Sequence, residues 1–104
     1  MQVQVNHDNH IRIAEETSER LSQAVEDSLS QFADRITRVE MHLGDVNADK
    51  GGGADKRCMI EARLGSLKPI AVTHQAESLY LAIDGALEKM EHALSHAIGK
   101  LETH

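Results

Sequence analysis

The chain has few aromatic residues, and this scarcity limits what its core can contain. Among 104 residues there is no Trp, and the single Phe and single Tyr are Phe32 and Tyr80. The core must therefore be built from aliphatic side chains. A chain of this length can bury one core but not two, so we expect residues 1–104 to form a single domain.

The sequence also lacks a second cysteine and any long apolar segment. Cys58 has no partner for an internal disulfide, which fits a reducing cytoplasm. No apolar run approaches the roughly 20 residues that span a bilayer. The N-terminal MQVQVNHDNH has no basic segment followed by an apolar run, so it is not a secretory signal. We therefore expect a cytoplasmic protein without a membrane partner.

Positive charge is the third scarcity. Eleven Lys and Arg face 17 Asp and Glu, which gives a net charge of −6. Taken alone, this balance argues against nucleic-acid binding, because Lys and Arg must replace the counterions of phosphate. The distribution is uneven, however. Residues 35–74 hold seven basic residues against five acidic ones, whereas residues 1–34 hold two against seven. Positive charge is therefore concentrated in the middle of the chain.

Hydrophobic periodicity predicts four strands and two helices. Polar and apolar residues alternate over 2–6, 38–43, 56–64 and 70–74, as in strands with one buried face. Apolar residues recur at spacings of three and four over residues 14–33 and 78–101, as in helices. The order of the predicted elements is β-α-β-β-β-α.

The last helix has the strongest period, and two of its residues carry specific predictions. Ser78 is a candidate N-cap, because its hydroxyl can accept a hydrogen bond from a free amide of the first turn. Gly85 lies in mid-helix, where Gly costs about 1 kcal/mol relative to Ala. We interpret it as a point where the helix backbone closely approaches another element. The alternative is a tolerated surface glycine.

The economical α+β architecture is a two-layer sandwich, with both helices packed on one face of a four-stranded sheet. The three consecutive strands form an antiparallel meander, and the long first crossover makes the first strand parallel to its neighbour. The other face of the sheet stays open. Its predicted side chains are Arg38, Glu40, His42, Arg57, Met59, Glu61, Arg63 and Thr73.

No set of residues indicates catalysis. Cys58 falls on the apolar side of its strand. Gly51-Gly52-Gly53 lacks the following Lys-Ser/Thr and the helix of a P-loop, so residues 44–55 are predicted to be a flexible hairpin loop. Glu88, His92 and His96 are spaced four apart on one helix, which suits either a divalent ion or an exposed polar face. We predict no metal site, no cofactor and no enzymatic activity.

Three short motifs resemble a known family. They are Asp34-Arg35-Ile36 at the helix-to-strand junction, residues 79–85 (LYLAIDG) at the start of the last helix, and the opening residues 1–5 (MQVQV). With the order of elements, they are similar to the ribosome hibernation-promoting factors, a family that includes the ribosome-associated inhibitor or sigma modulation proteins. The resemblance covers nearly the whole chain. It points to the short, single-domain type, because no linker or second domain follows Leu101.

The resemblance implies the β-α-β-β-β-α fold and a partner, the small ribosomal subunit with its ribosomal RNA. Family members bind the decoding channel during stress or stationary phase and silence translation without catalysing a reaction. The face that meets RNA must carry positive charge. The residues predicted to bind RNA are Arg35, Arg38, Lys56, Arg57, Arg63, Lys89, His92, His96 and Lys100.

The chain departs from the family pattern in its charge. His92 and His96 stand where Arg or Lys is expected, and the first helix is more acidic than in other members. The alternative is therefore a diverged member that binds a protein partner, through its acidic helical face or an open sheet edge, with little or no ribosome binding. The oligomeric state is left open.

Overall fold

The computed structural model describes residues 1–46 and 55–102, the last two by their backbone alone. Its elements are β1 (Gln2–His7), α1 (Glu15–Ser28), a 3₁₀ turn (Ser30–Phe32), β2 (Arg38–Asp45), β3 (Lys56–Arg63), β4 (Ile70–Ala76) and α2 (Leu79–Glu102). This order confirms the predicted β-α-β-β-β-α arrangement. Most of the predicted hairpin loop, including the three consecutive glycines, lies outside the described residues.

The four strands form one sheet in the order β1-β2-β3-β4. β1 runs parallel to β2, with Val3 beside Val39, and the β2-β3 and β3-β4 pairs are antiparallel. The predicted meander and the parallel first strand are therefore confirmed. α1 packs against β1, and α2 packs against β3 and β4. No helix among the described residues is long and apolar enough to cross a membrane.

The alternation of each central strand determines which of its side chains are buried. Every second residue of β2 and β3 points toward the helices, and each such aliphatic side chain buried from water stabilises the fold by about 1.5–3 kcal/mol. The helices supply the opposing layer, including Val25 and Leu94, both fully buried. The buried strand residues are Val39, Met41, Leu43, Cys58, Ile60 and Ala62.

The first helix is shorter than predicted. The sequence suggests one helix over residues 14–33, but the α-helix ends at Ser28 and a 3₁₀ turn follows over Ser30–Phe32. A 3₁₀ turn has three residues per turn, so residues three apart lie on the same side. Leu29 and Phe32 are both buried, because the tighter turn directs them into the same core.

Strand lengths also differ slightly from the prediction. β4 continues from Ile70 to Ala76, since Ala76 still pairs with Lys56 at the start of β3. β3 ends at Arg63 rather than at Leu64, although Leu64 remains buried. The turn that follows contains Gly65 at a φ of 59°, a left-handed conformation that glycine adopts without a steric penalty.

Both predictions for the last helix are confirmed. Ser78 Oγ accepts a hydrogen bond from the amide of Leu81 at 3.1 Å, so Ser78 caps the helix. Gly85 lies against the imidazole of His74 in β4. A Cβ at position 85 would lie only 2.1 Å from His74 Cδ2 and 2.6 Å from Cγ. The glycine therefore lets α2 approach β4 with the histidine ring between them.

Candidate nucleic-acid interface

The open face of the sheet carries charges of both signs. Arg38 and Arg63 are direct cross-strand partners on β2 and β3, and Glu40 and Glu61 are the next pair on the same face. The predicted composition of this face follows from the register, since Thr73 of β4 pairs with Met59. Two arginines and two glutamates therefore form a compact square on the two central strands, at the end where β2 begins and β3 ends.

The two arginines of this square are only partly neutralised. Arg38 Nη2 lies 3.0 Å from Glu40 Oε1, and Arg63 Nη2 lies 3.7 Å from Glu61 Oε1. The arginine side chains are 42% and 55% exposed. Ion pairs this exposed contribute only about 0–1 kcal/mol, so a phosphate can compete for them. Arg38 Nη2 also donates to Gln4 Oε1, and the buried Arg38 Nε has no hydrogen-bond partner among the described residues.

Arg57 lies at the other end of β3 and is exposed. It borders a shallow cleft of about 220 Å³ together with Asp8, His42 and Met59. The cleft therefore combines one arginine with one carboxylate. Asp8 is committed to the backbone, because its two oxygens accept the amides of His10 at 2.9 Å and Asp45 at 3.1 Å.

Lys56 lies on the other side of the sheet from Arg57. Its Nζ is 2.9 Å from Asp45 Oδ2 and 3.5 Å from Asp55 Oδ2. The hydrogen bond to Asp45 raises the pKa of Lys56, and the charges of both carboxylates act in the same direction. The charge of Lys56 is thus compensated within the fold by two carboxylates.

The predicted residues of the last helix lie along one flank. Residues 89, 92, 96 and 100 are separated by three or four positions, a spacing that places side chains on the same side of a helix. Lys89 Nζ donates to the carbonyl of Thr73 in β4 at 2.8 Å, so this flank borders β4. We call it the α2 ridge, defined by Lys89, His92, His96 and Lys100, all exposed.

Basic residues gather at the end of the sheet where β2 begins and β3 ends. Arg35 lines a cleft of about 430 Å³ there with residues of the β3-β4 turn and with Ile98 of α2. Lys68 belongs to that turn. Sequence reasoning did not select Lys68 as a site residue, although it counts in the basic middle segment of the chain. We call this the basic end, formed by Arg35, Arg38, Arg63, Lys68 and Lys100.

Two groups of acidic residues lie on the opposite side and at the opposite end of the molecule, whereas Asp34 lines the cleft at the basic end. α1 packs on β1, away from the α2 ridge, and its one basic residue is Arg20. Its acidic residues are Glu15, Glu16, Glu19, Glu26 and Asp27. Asp8, Asp45 and Asp55 lie at the end of the sheet where β2 joins β3. We call this the hairpin end.

The described residues offer no metal-binding cluster and no activated nucleophile. They contain no group of three or more His, Cys, Asp or Glu that could hold a metal ion. Glu88 and His96 are eight positions apart, about 12 Å along the helix at 1.5 Å per residue, so Glu88, His92 and His96 do not converge. Burial raises the pKa of Cys58 to about 12, and its thiol therefore stays protonated at neutral pH.

Comparisons with known proteins extend over nearly the whole chain. Residues 2–102 match the family model described as sigma 54 modulation protein / S30EA ribosomal protein. No curated protein sequence matches. Among solved structures, the Thermus thermophilus Protein Y N-terminal domain superposes with a TM-score of 0.71 at 16% identity, covering 92% of this chain and 98% of that one. A ribosomal subunit interface protein from Coxiella burnetii gives 0.72 at 18% identity, covering 95% and 99%.

Proposed function

Because the chain belongs to the sigma 54 modulation protein / S30EA ribosomal protein family, we propose that it is a ribosome-associated translation inhibitor. It binds the decoding channel of the small subunit under stress or in stationary phase, and it acts by occupying space rather than by catalysis. The observation that supports this most is the basic end, which collects five cations from four separate parts of a chain with a net charge of −6.

The distribution of charge gives the molecule a preferred orientation on RNA. The basic end and the α2 ridge share Lys100, and we take them together as the RNA-binding surface. RNA phosphates attract this surface and repel α1, because counterion release rewards Lys and Arg and not carboxylates. The protein therefore docks with α1 turned away from the RNA, in agreement with the excess of acidic residues on that helix.

The exposed Arg38–Glu40 and Arg63–Glu61 pairs are suited to RNA contacts whose strength depends on salt concentration. Each arginine exchanges a weak intramolecular carboxylate for a phosphate, so the cost of binding is small. If the five cations of the basic end all contact phosphates, the affinity should fall roughly 100- to 500-fold between about 50 and 200 mM salt. We expect ribosome binding that is clear at low salt and much weaker at higher salt.

Co-sedimentation with purified small subunits through sucrose gradients, at low and physiological salt, tests this proposal. The informative variant is Arg63→Gln combined with Lys68→Gln, which removes two exposed cations from the basic end. The matched control is Arg12→Gln with Arg20→Gln, which makes the same change in net charge on the α1 side. We expect the first variant to lose most of its bound fraction and the control to bind like the wild type.

Equal losses in both variants would show that only net charge matters, and would contradict the proposed orientation. Absence of co-sedimentation at low salt would contradict ribosome binding itself. A ribosome-dependent translation assay with the same proteins then checks inhibition. The loss of inhibition is expected to follow the loss of binding for each variant.

The acidic surface of α1 favours a second candidate function, recognition of a basic protein partner. Tyr80 is 77% exposed and Leu81 51% exposed at the start of α2. Tyr80 borders a cleft of about 190 Å³ between the helices, with Leu21 and Leu87. In this alternative, charge reversal on α1 abolishes partner binding, whereas the basic-end variant leaves it unchanged.

A further inference from the structure

β1 lies at one edge of the sheet with half of its backbone groups facing outward. The amide of Gln2 donates to Thr37 O at 3.2 Å, and the amide of Asp8 donates to Leu43 O at 3.0 Å. Even-numbered residues of β1 therefore direct their N–H and C=O toward β2, and odd-numbered residues direct theirs away from it. No loop or helix of the described residues bonds to the backbone of Val3, Val5 or His7.

The two edges of the sheet differ in protection. On the β4 edge, Lys89 reaches from α2 and covers the carbonyl of Thr73 at 2.8 Å. Within residues 1–46 and 55–102, no side chain covers the β1 edge in a comparable way, and residues 2–6 carry no charge and no proline. Proteins commonly block free edges with charge, proline or bulges, because an unprotected edge can pair with another strand. The β1 edge has none of these devices.

We infer that β1 pairs with β1 of a second copy of this chain, antiparallel and about a two-fold axis through Val5, so that the two sheets join into one of eight strands. In this register Val5 lies opposite the partner's Val5, and Val3 lies opposite the partner's His7. All three outward residues of each strand then pair, which gives six main-chain hydrogen bonds. If one strand is shifted by two residues along the other, fewer of these outward-facing residues find a partner.

The side chains support this register on both faces. On the open face, Gln4 meets the partner's Asn6 and Asn6 meets the partner's Gln4. Within the chain, Gln4 Oε1 accepts from Arg38 Nη2 and Gln4 Nε2 donates to Asn6 Oδ1 at 3.2 Å. Each side-chain amide has a further donor hydrogen and a further acceptor lone pair that can bond across the axis. On the helix side, partly buried Val5 packs against its own copy. No two like charges meet along the strand.

The acidic first helix opposes this association. α1 packs on β1, so the pairing brings two α1 helices to the two sides of the axis, each with more acidic than basic residues. Salt screens this repulsion, and dimerisation should strengthen as salt rises. RNA binding weakens with salt, so the two properties have opposite salt dependence. The dimer does not depend on the proposed ribosomal function.

Light scattering or sedimentation equilibrium across a concentration series tests the inference on the full chain, at about 50 and 300 mM salt, where the screening length differs more than two-fold. We expect the weight-average mass to rise from 11.5 kDa toward twice that value, and at lower protein concentration in the higher salt. A mass that stays at 11.5 kDa throughout would overturn the inference.

Charged substitutions on the open face of β1 test whether β1 is the strand that pairs. Gln4→Glu with Asn6→Asp places like charges opposite each other twice, and we expect the dissociation constant to rise about tenfold. Gln4→Glu with Asn6→Lys places opposite charges there, keeps an acceptor for Arg38 at position 4, and should restore dimerisation. Gln4 is exposed and Asn6 is half-buried, and circular dichroism checks that the variants fold.

Lys89→Ala is the control for the other edge, because it uncovers Thr73 without altering β1. It should leave the dimer unchanged. If Lys89→Ala strengthens association, or if the two β1 variants dimerise equally well, the pairing uses a different surface and the inference is wrong. Amide exchange at Val3 and Val5 provides a direct readout, since it should slow as protein concentration rises.

Discussion

The hairpin end and the basic end of the sheet are built differently. At the hairpin end, Asp8 bridges two backbone amides, Lys56 contacts two carboxylates, and Asp55 is only 6% exposed. At the basic end, a cleft of about 430 Å³ borders Arg35, and a Cβ added at Gly99 would meet nothing within 4 Å. One end is closed by specific contacts, and the other leaves its charged side chains exposed.

The groups that stabilise the fold and the groups that we propose to bind RNA therefore lie at opposite ends of the same sheet. Polar groups at the hairpin end have partners inside the fold, so removing them should cost stability. Most cations of the basic end are exposed, so removing them should cost binding and little stability, since surface charges away from such contacts usually change stability by less than about 0.5 kcal/mol. The following predictions test this contrast in order of decreasing effect.

The largest effect is expected at Gly85, where α2 meets His74. Gly85→Ala should lower the free energy of unfolding by about 2 kcal/mol, because the added methyl overlaps the imidazole and overpacking costs more than helix propensity returns. Urea denaturation measures the change. In a His74→Ala background the same substitution should be neutral or stabilising, and an equal loss in both backgrounds would contradict this explanation.

The next effect is expected at Asp8. Asp8→Ala removes both acceptors of the amides of His10 and Asp45 and should cost about 1–2 kcal/mol of unfolding free energy. Asp8→Asn keeps one acceptor oxygen and should lose less. Thermal and urea denaturation of the two variants provide the comparison. If Asp8→Ala is as stable as the wild type, the hairpin end is not held as the structure indicates.

At the basic end, Gly99→Ala should have the opposite sign. The new methyl enters open space, and replacing a helical glycine by alanine should raise the free energy of unfolding by about 1 kcal/mol. The same urea titration used for Gly85→Ala measures it. A loss similar to that of Gly85→Ala would show that the two halves of α2 are equally tightly packed, and the contrast between the ends would fail.

The smallest effect is a pH dependence at Lys56. Its folded pKa is raised above the ordinary value of 10.5, first by the hydrogen bond to Asp45. The stability that it contributes is therefore complete below pH 10.5 and is lost as the pH rises through the folded pKa. Unfolding measured from pH 9 to 11.5 (about one unit on either side of the ordinary Lys pKa) should show this loss.

Lys56→Met should lack that alkaline loss. Lys68→Met is the matched control, because it removes one lysine charge from the basic end, and it should retain the wild-type pH dependence. If Lys68→Met flattens the profile as much as Lys56→Met does, then total charge and not the contact with Asp45 controls alkaline stability.

Much of the fold could be predicted from local patterns, and the exceptions have local causes too. The alternation of Val39, Met41 and Leu43 predicted the dry face of β2, and Ser78 predicted the start of α2. The end of α1 at Ser28 was missed, because a 3₁₀ turn and an α-helix bury residues such as Leu29 and Phe32 with similar spacing. The extension of β4 to Ala76 was missed because it depends on pairing with Lys56 of β3, which no local pattern in the sequence indicates.

The candidate site was less predictable than the fold. The sequence identified a basic middle segment, but it could not separate Lys56, which lies between two carboxylates, from exposed Arg63. It also did not select Lys68, which joins the other cations only because the β3-β4 turn and the end of α2 lie at the same end of the sheet. Separation along the sequence does not reveal which residues become neighbours in the fold.

By itself the amino-acid sequence determined the elements, their order and the side of each strand that is buried, because periods of two and of three to four depend only on local backbone geometry. Tertiary structure alone decided which cations stand together, what Gly85 approaches, and which edge of the sheet is left uncovered. These features depend on strand register and helix placement, in which residues far apart in the chain become neighbours.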